Sequence, residues 1–310
     1  MSERRPRVIV IAGPTGVGKT ASAVALAAPI GGQIVSADAM QVYHGMDVGT
    51  AKPTRDEQAL ATHHLIDVIK PDEPFDVACF VSRARQVIER LEIKGVPIFI
   101  VGGTGLYIKA LLQGLFDPGR DGHNRQVRER LEAEKKSLGP AALYERLRRV
   151  DPVTGSKLHP NDVFRVIRAL EVYESTGRPI SAYHRQHGFS DRPYRALKIG
   201  LYMDRQSLYD RIDRRVEKML KMGLLAEVQA LLDQGYGWEL KSMSSIGYRH
   251  MAMYLRGEIS WDDAVETLKR DTRRYAKRQL TWFRADSEMQ WIEPNRIEEK
   301  QWAIRSFLTT

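Results

Sequence analysis

The sequence predicts an α/β fold in which helices flank a parallel β-sheet and a helical domain is inserted into the chain. Short apolar runs rich in β-branched residues, typical of buried parallel strands, alternate with helical patterns over residues 8–101 and return at 199–202. Residues 115–198 are charged and helical in pattern, without long apolar strand runs. We therefore assign residues 1–114 and 199–310 to an α/β core with basic C-terminal helices, and residues 115–198 to a helical insertion.

The first predicted strand leads into a phosphate-binding loop. Residues 8–11 are Val-Ile-Val-Ile, and residues 21–27 favour a helix. The residues between them fit G-x-x-x-x-G-K-[ST], the P-loop: Gly13, Pro14, Thr15, Gly16, Val17, Gly18, Lys19 and Thr20. Backbone N–H groups of such a loop converge on an anion, so the core is predicted to be P-loop NTPase-like.

Two side chains of the P-loop (residues 13–20) add to this prediction. Lys19 contributes a positive charge, and the hydroxyl of Thr20 is placed to ligate Mg²⁺. The alternative is a glycine-rich turn that binds nothing. The pattern predicts a phosphate or diphosphate site without saying whose phosphate it holds.

Two further loops are expected at the same edge of the sheet. Asp38 follows a strand predicted at 33–36, where the carboxyl end of a parallel strand faces a ligand. Its alternative role is a helix N-cap. Gly-Gly-Thr-Gly at 102–105 follows a strand predicted at 96–101 and offers the Thr104 hydroxyl, although a simple tight turn explains the glycines equally well.

Familiar nucleotide-hydrolase signals are missing. The strand at 96–101 ends in glycines rather than in the aspartate that often holds Mg²⁺ through water. The guanine-reading motif Asn-Lys-x-Asp does not occur in the sequence. These observations disfavour a motor ATPase and a GTPase switch, and favour another use of the phosphate cradle.

The chain has an excess of basic residues, and several of them are clustered. The net charge of +9 favours polyanionic partners such as nucleic acid, although a merely basic enzyme also fits. Arg211 and Arg215 are spaced i,i+4 in a helical pattern running from Leu208 to Leu232, so both guanidinium groups can reach one anion. The alternative is a solvated face that includes Asp210 and Glu217.

Residues 269–284 combine basic side chains with the interleaved rings of Tyr275, Trp282 and Phe283. Such a combination suits an RNA backbone and unstacked bases, whereas the alternative is a plain solvated helix. A further helix is predicted to begin near Pro160 and Asn161.

The remaining features indicate an ordinary intracellular protein. Cys79, the single cysteine, lies in an apolar run and is expected to be a small core residue. Adjacent His63 and His64 are expected to be structural polar groups rather than a metal pair. Nothing resembles a signal peptide, and no apolar run approaches the roughly 20 residues of a membrane span. We expect a cytoplasmic protein that contacts no membrane.

Taken in order, these stretches resemble the tRNA dimethylallyltransferases, also called tRNA isopentenyltransferases. A P-loop alone would be unspecific, but the ordered set is specific and covers nearly the whole chain. One departure is Ala39, where the family commonly has serine; a role of the backbone there should survive. The matching stretches are residues 13–20, 36–43, 45–53, 101–107, 159–162, 246–248 and 272–284.

The resemblance implies transfer of a dimethylallyl group from dimethylallyl diphosphate to N6 of the adenosine 3′ of the anticodon in tRNA. It implies that Asp38 is the general base, and that the P-loop and Mg²⁺ stabilise the diphosphate with help from Arg211 and Arg215. The catalytic set is Asp38, Lys19, Thr20 and Thr104.

The resemblance also implies contacts with the tRNA anticodon stem-loop, and we expect the enzyme to be a monomer. The implied contact residues are Asp38, Ala39, Met40, Gln41, Thr104, Gln126, Asp162, Val163, Phe164, Arg165, Val166, Lys277 and Arg278.

Two rival functions remain open from the residues. A small-molecule kinase would place ATP in the P-loop and use Asp38 as the base for a hydroxyl acceptor. An RNA-binding module with a vestigial P-loop would bind tRNA equally well with or without a diphosphate.

Overall fold

A computed structural model describes residues 5–114, 124–187 and 191–309 and confirms the predicted α/β fold class. The strands are β1 (Arg7–Ala12), β2 (Gln33–Ser36), β3 (His63–His64), β4 (Ile98–Gly102), β5 (Arg195–Leu201) and β6 (Gln290–Ile292). They form one six-stranded sheet in the order β3-β2-β4-β1-β5-β6, and every neighbouring pair is parallel.

Helices connect most of these strands and form much of the remaining described chain. In chain order they are α1 (Lys19–Ala27), α2 (Arg55–Leu60), α3 (Val77–Ile93), α4 (Gly105–Gln113), α5 (Arg125–Leu138), α6 (Pro140–Val150), α7 (Pro152–Gly155), α8 (Val163–Thr176), α9 (Ile180–His187), α10 (Arg205–Lys221), α11 (Leu224–Asp233), α12 (Tyr248–Leu255), α13 (Trp261–Arg284) and α14 (Ile297–Thr309). No helix among the described residues is long and apolar enough to span a membrane.

The chain divides into two compact units. One comprises residues 1–112 and 192–310 and contains the sheet; the other comprises residues 113–191 and contains α5 to α9. The helical unit has its own apolar core, formed by Leu131, Leu143, Leu147, Val166, Ile167, Ala169 and Leu170.

The centre of the sheet explains where ligand-binding loops can lie. Residues 8–12 of β1 and the whole of β4 are buried, because helices cover both central strands. Ala12 pairs with Gly102 and Ser36 pairs with Val101, so β1, β4 and β2 end side by side. The loops that follow these three strands therefore meet at one edge, the usual ligand site of an open parallel sheet.

Three local predictions were wrong. The pattern from Leu208 to Leu232 forms two helices, since Gly223 adopts a left-handed conformation with φ of 94° and separates α10 from α11. Helix α8 begins at Val163 rather than near Pro160, because the Asp162 carboxylate caps it by accepting the N–H of Arg165 at 3.4 Å. Cys79 is exposed in the first turn of α3, because its apolar neighbours supply the buried face of that helix.

Candidate active site

The P-loop connects β1 to α1 at the ligand edge of the sheet. Gly18 precedes α1 with φ of 98°, a conformation that favours glycine and turns the loop into the helix N-terminus. The half-buried Lys19 extends its ammonium back over the loop and donates to the carbonyl of Pro14 at 2.8 Å. The pKa of Lys19 is lowered to about 8, chiefly by burial and also by the charge of Arg215, while the charge of Asp38 acts in the opposite direction.

Helix α10 brings both predicted arginines to this loop. A Cβ built on Gly18 would lie 3.3 Å from a guanidinium nitrogen of Arg211. Desolvation lowers the pKa of Arg215, and the negative charge of Asp38 opposes that shift. Within the described residues neither arginine forms a salt bridge, so their charges are not neutralised by a close carboxylate.

Asp210 and Glu217, the acidic residues near these arginines in the sequence, pair with other side chains. Asp210 accepts from the Gln206 amide at 2.8 Å, and Glu217 pairs with Lys269 at 3.0 Å. The two arginines of α10 and Lys19 thus form a cationic group beside the P-loop. Such a group attracts an anion with several charges, as a diphosphate has.

Asp38 closes a tight turn immediately after β2. Its carboxylate accepts the N–H of Met40 at 2.8 Å and of Gln41 at 3.3 Å. No helix begins here, since residues 39–42 form turns, and the N-cap alternative is therefore wrong. The N–H of Ala39 donates to the Thr104 hydroxyl at 3.1 Å, a backbone contact that a serine at position 39 would preserve.

A cleft runs between these elements. Lys19, Thr20, Asp38 and Gln41 all line it, together with Ile34, Ser36, Pro53, His63, Val101 and Gly102. The Ser36 hydroxyl donates to the Gln41 amide oxygen at 3.0 Å, while the Gln41 nitrogen donates to the carbonyl of Ala51 at 3.3 Å. A carboxylate, an ammonium and a hydroxyl therefore face one small space at the ligand edge.

The adjacent histidines have structural contacts. His63 Nδ1 lies 2.8 Å from the Ala61 carbonyl, and His64 Nε2 lies 2.8 Å from the Gln33 amide oxygen. Burial lowers the pKa of both rings, so both favour the neutral form.

Helix α13 contributes two residues that sequence reasoning did not assign to this site. Gln279 joins the P-loop to the glycine loop (Gly102–Gly105), and the Tyr275 hydroxyl lies close to Gln279 and Thr104. Burial and the charge of Asp38 raise the pKa of Tyr275. The available signal was periodicity, because Thr272, Ala276, Gln279 and Phe283 form a buried stripe at helical spacing.

The opposite face of α13 is basic and exposed. Lys277 and Arg278 are both exposed, and neither is paired with a carboxylate among the described residues. Of the predicted stacking rings, Phe283 is buried in the core, whereas Trp282 lies against Gly105 and is 43% exposed. The exposed part of α13 therefore offers the charges of Lys277 and Arg278 and the ring of Trp282 to a partner.

The helical unit carries the remaining predicted contact residues. Gln126 is exposed on α5, and Phe164 is exposed on α8 with the guanidinium of Arg128 5.2 Å from its ring centre. Arg165 pairs with Asp162 at 3.0 Å. Val163 and Val166 pack in the core of this unit, so their side chains add shape rather than an exposed contact.

Glu227 of α11 holds the loop at residues 45–53, and sequence reasoning missed it. Its carboxylate accepts the N–H groups of Asp47, Val48 and Gly49 at 2.9, 2.7 and 3.1 Å, and the hydroxyl of Tyr248 at 2.5 Å. The same loop supplies the carbonyl that binds Gln41. Glu227 thereby supports the wall of the cleft from a separate helix.

Replacing Glu227 with alanine is expected to lower the free energy of unfolding by about 3 kcal/mol, because three loop N–H groups lose a charged acceptor. Urea unfolding followed by circular dichroism measures the change, with Glu266→Ala on the exposed face of α13 as the control. A variant within about 1 kcal/mol of wild type would show that other contacts hold the loop.

Comparison with known proteins places this chain in a family. The family model described as IPP transferase matches residues 41–286, and that described as isopentenyl transferase matches residues 6–67. A tRNA dimethylallyltransferase of Desulfosudis oleivorans is 53% identical over 305 residues, covering 98% of this chain and 96% of the relative. This chain belongs to the tRNA dimethylallyltransferase family. It is therefore a prenyltransferase that modifies tRNA.

Other relatives and solved structures agree. A tRNA dimethylallyltransferase of Syntrophobacter fumaroxidans is 55% identical over 286 residues, which are 92% of this chain and 83% of the relative. The tRNA isopentenylpyrophosphate transferase of Bacillus halodurans has a TM-score of 0.74 at 40% identity, covering 98% of this chain and 97% of the other. A eukaryotic dimethylallyltransferase acting on tRNA has a TM-score of 0.82 at 28% identity, covering 97% and 77%.

Proposed function

We propose that this enzyme transfers a dimethylallyl group from dimethylallyl diphosphate to N6 of the adenosine 3′ of the tRNA anticodon. The observation that carries the proposal is that Lys19 and Asp38 line one cleft at the P-loop, and that Arg215 lies near enough to interact electrostatically with both. A cationic cradle suits a diphosphate, and a carboxylate next to it suits a nucleophile that must lose a proton.

The P-loop side of the cleft stabilises the leaving group. As the bond between the allylic carbon and the diphosphate oxygen breaks, negative charge accumulates on the departing diphosphate. Loop N–H groups, Lys19 and the arginines of α10 are placed to balance that charge. Because this charge is larger in the transition state than in the bound donor, the contacts favour reaction over mere binding.

The Thr20 hydroxyl is compatible with a magnesium ion. It lines the cleft at the start of α1 and donates no hydrogen bond to another described side chain or carbonyl. Mg²⁺ commonly takes one or two protein oxygens and completes its shell with substrate phosphates and water, so a single hydroxyl fits. When bound, the ion would neutralise charge on the diphosphate.

Asp38 faces the cleft from the other side and serves as the general base. Adenine N6 is a poor nucleophile because its lone pair is delocalised into the ring. When the new bond between N6 and the allylic carbon forms, the proton of N6 passes to the Asp38 carboxylate. The N–H groups of Met40 and Gln41 orient that carboxylate, and Thr104 holds the turn through Ala39.

Recognition of tRNA is assigned to two surfaces. One is the basic face of α13 with Lys277 and Arg278; the other is the exposed part of the helical unit around Gln126 and residues 162–165. The target adenine must leave its stack to reach a cleft at the sheet edge, as in other enzymes that act on bases. Monomeric function is part of the same proposal.

Mass spectrometry of tRNA nucleosides tests the function. Transfer RNA incubated with the enzyme, dimethylallyl diphosphate and Mg²⁺ is expected to yield a dimethylallyl adenosine, whereas a tRNA with guanosine at that position should yield none. A parallel reaction with ATP and no prenyl donor should give no phosphorylated product. Modification of the guanosine-substituted tRNA, or no prenyl product from the natural one, would contradict the proposal.

Removing the charges of Lys277 and Arg278 together is expected to weaken binding of all tRNAs similarly, because phosphate contacts carry no base information. The logarithm of tRNA affinity should fall less steeply with the logarithm of salt concentration, by roughly 0.7 to 0.9 for each phosphate that the variant no longer neutralises. Titration of labelled tRNA at several salt concentrations measures this slope.

The matched control replaces Arg90 and Lys94, which are exposed at the end of α3 near the amino end of β4. This variant loses the same charge at the sheet edge opposite the P-loop and should keep the wild-type slope. An unchanged slope for the α13 variant, with a loss confined to donor binding, would place Lys277 and Arg278 at the donor pocket instead.

A further inference from the structure

Gln279 is a buried amide held by two backbone groups at the ligand edge. It is 6% exposed on the inner face of α13. Its side-chain oxygen accepts the N–H of Thr15 at 2.8 Å, and its side-chain nitrogen donates to the carbonyl of Gly103 at 2.9 Å. Because the N–H can only donate and the carbonyl can only accept, the orientation of the amide is determined.

The amide lies beside the ammonium of Lys19. A Cβ built on Gly103 would lie 2.2 Å from the Gln279 nitrogen and 3.5 Å from the Lys19 ammonium. Glycine at position 103 therefore makes room for both groups. Lys19 meanwhile reaches back to Pro14, the residue before Thr15, so the amide and the ammonium meet over the first half of the P-loop.

This half of the loop is where a third phosphate would lie. In P-loop proteins, backbone N–H groups cradle the inner phosphates, and the lysine reaches toward the outermost ones. Here the Thr15 N–H is already taken, and the group that takes it is an acceptor oxygen. A third phosphate would bring its own acceptor oxygens against the Gln279 oxygen.

We propose that Gln279 is a specificity-determining residue that closes the outer end of the P-loop, so that the site accepts a diphosphate and rejects a triphosphate. The proposal rests on the proposed placement of the donor diphosphate in the P-loop. If the Gln279 amide moved aside, both the amide and the Gly103 carbonyl would lose their hydrogen bonds while buried. That free-energy cost disfavours a conformation in which the outer end of the P-loop is open. The closed end thus separates allylic diphosphates from the nucleoside triphosphates that P-loops commonly hold.

The wild-type enzyme provides the first test. Calorimetric titration in the presence of Mg²⁺ should show inorganic pyrophosphate binding at least about tenfold more tightly than tripolyphosphate, the ratio expected from one lost charged hydrogen bond. The greater charge of tripolyphosphate would favour the reverse order in an open cationic loop. Equal or tighter binding of tripolyphosphate would overturn the proposal without any variant.

Two variants then examine the amide itself. Gln279→Ala frees the Thr15 N–H and opens the end of the loop, so the preference for pyrophosphate should shrink by about tenfold. Gln279→Glu keeps an acceptor at Thr15, loses the donor to the Gly103 carbonyl and adds a negative charge, so it should keep or increase the preference. Thermal unfolding of each variant confirms that it is folded, and a folded Gln279→Ala with an unchanged preference would overturn the proposal.

A Lys19→Ala arm distinguishes this inference from the proposed function. If the variant binds both polyphosphates as the wild type does, the donor is not in the P-loop, and both the proposed placement of the donor and the role of Gln279 fail. If it loses both ligands while Gln279→Ala keeps the wild-type preference, the placement of the donor stands and the role of Gln279 fails. If it loses both while Gln279→Ala loses the preference, both stand.

Discussion

Replacing Asp38 with alanine is expected to lower turnover by about 10²–10⁴-fold, the usual cost of removing a general base. Binding of tRNA and of dimethylallyl diphosphate should persist, because the cationic group beside the P-loop and the basic face of α13 remain. Single-turnover kinetics with saturating substrates, together with direct binding titrations, separate the two effects.

Asp38→Asn makes the test sharper, because Asp38 also closes a turn. An asparagine oxygen can still accept the N–H groups of Met40 and Gln41, but the neutral amide cannot take a proton from N6. Loss of turnover in both variants supports the base, whereas near-normal turnover in Asp38→Asn would assign the residue to the turn alone. A few-fold change in Asp38→Ala would refute the base outright.

Replacing Lys19 with alanine should reduce affinity for the donor and the rate of transfer together, since the ammonium balances charge on the diphosphate before and during reaction. The expected loss in kcat/KM for dimethylallyl diphosphate is about 10²–10³-fold, comparable to losing one preorganised donor at a developing charge. Steady-state kinetics with the donor varied at saturating tRNA measures it.

Lys221→Ala is a suitable control for this variant. Lys221 is exposed in the last turn of α10, so its removal changes the net charge without touching the P-loop. The control should keep donor kinetics close to wild type. Unchanged donor kinetics in Lys19→Ala would mean that the P-loop is not the donor site.

Much of the fold could be predicted from local patterns. The run before Gly13 and the stretch at 33–36 became β1 and β2, because β-branched apolar residues fit a strand buried on both faces. Phe80, Ala84, Val87, Ile88 and Leu91 recur at helical spacing in the sequence, and they form part of the buried face of α3. Such patterns depend only on residues that are close together in the chain, so they can be recognised in a single sequence.

Helix boundaries were less predictable. Gly223 divides a continuous helical pattern because its left-handed backbone ends one helix and begins another, which apolar periodicity does not register. Cys79 illustrates the same problem. When an apolar run forms the first turn of a helix, some of its residues point toward solvent, as Cys79 does. Which face is buried depends on the partner elements rather than on the run itself.

The site shows the same division between local and distant information. The sequence by itself determined the α/β class, the P-loop and the position of Asp38 after β2, since each depends on adjacent residues and on the rule that parallel strands end together. Only the tertiary structure brought Gln279 to Thr15 and Glu227 to the loop at 47–49, across 264 and about 180 residues of chain. Those contacts depend on how α11 and α13 pack in the folded chain. The local sequence around a polar residue in a helix does not indicate which distant backbone group that residue will bind.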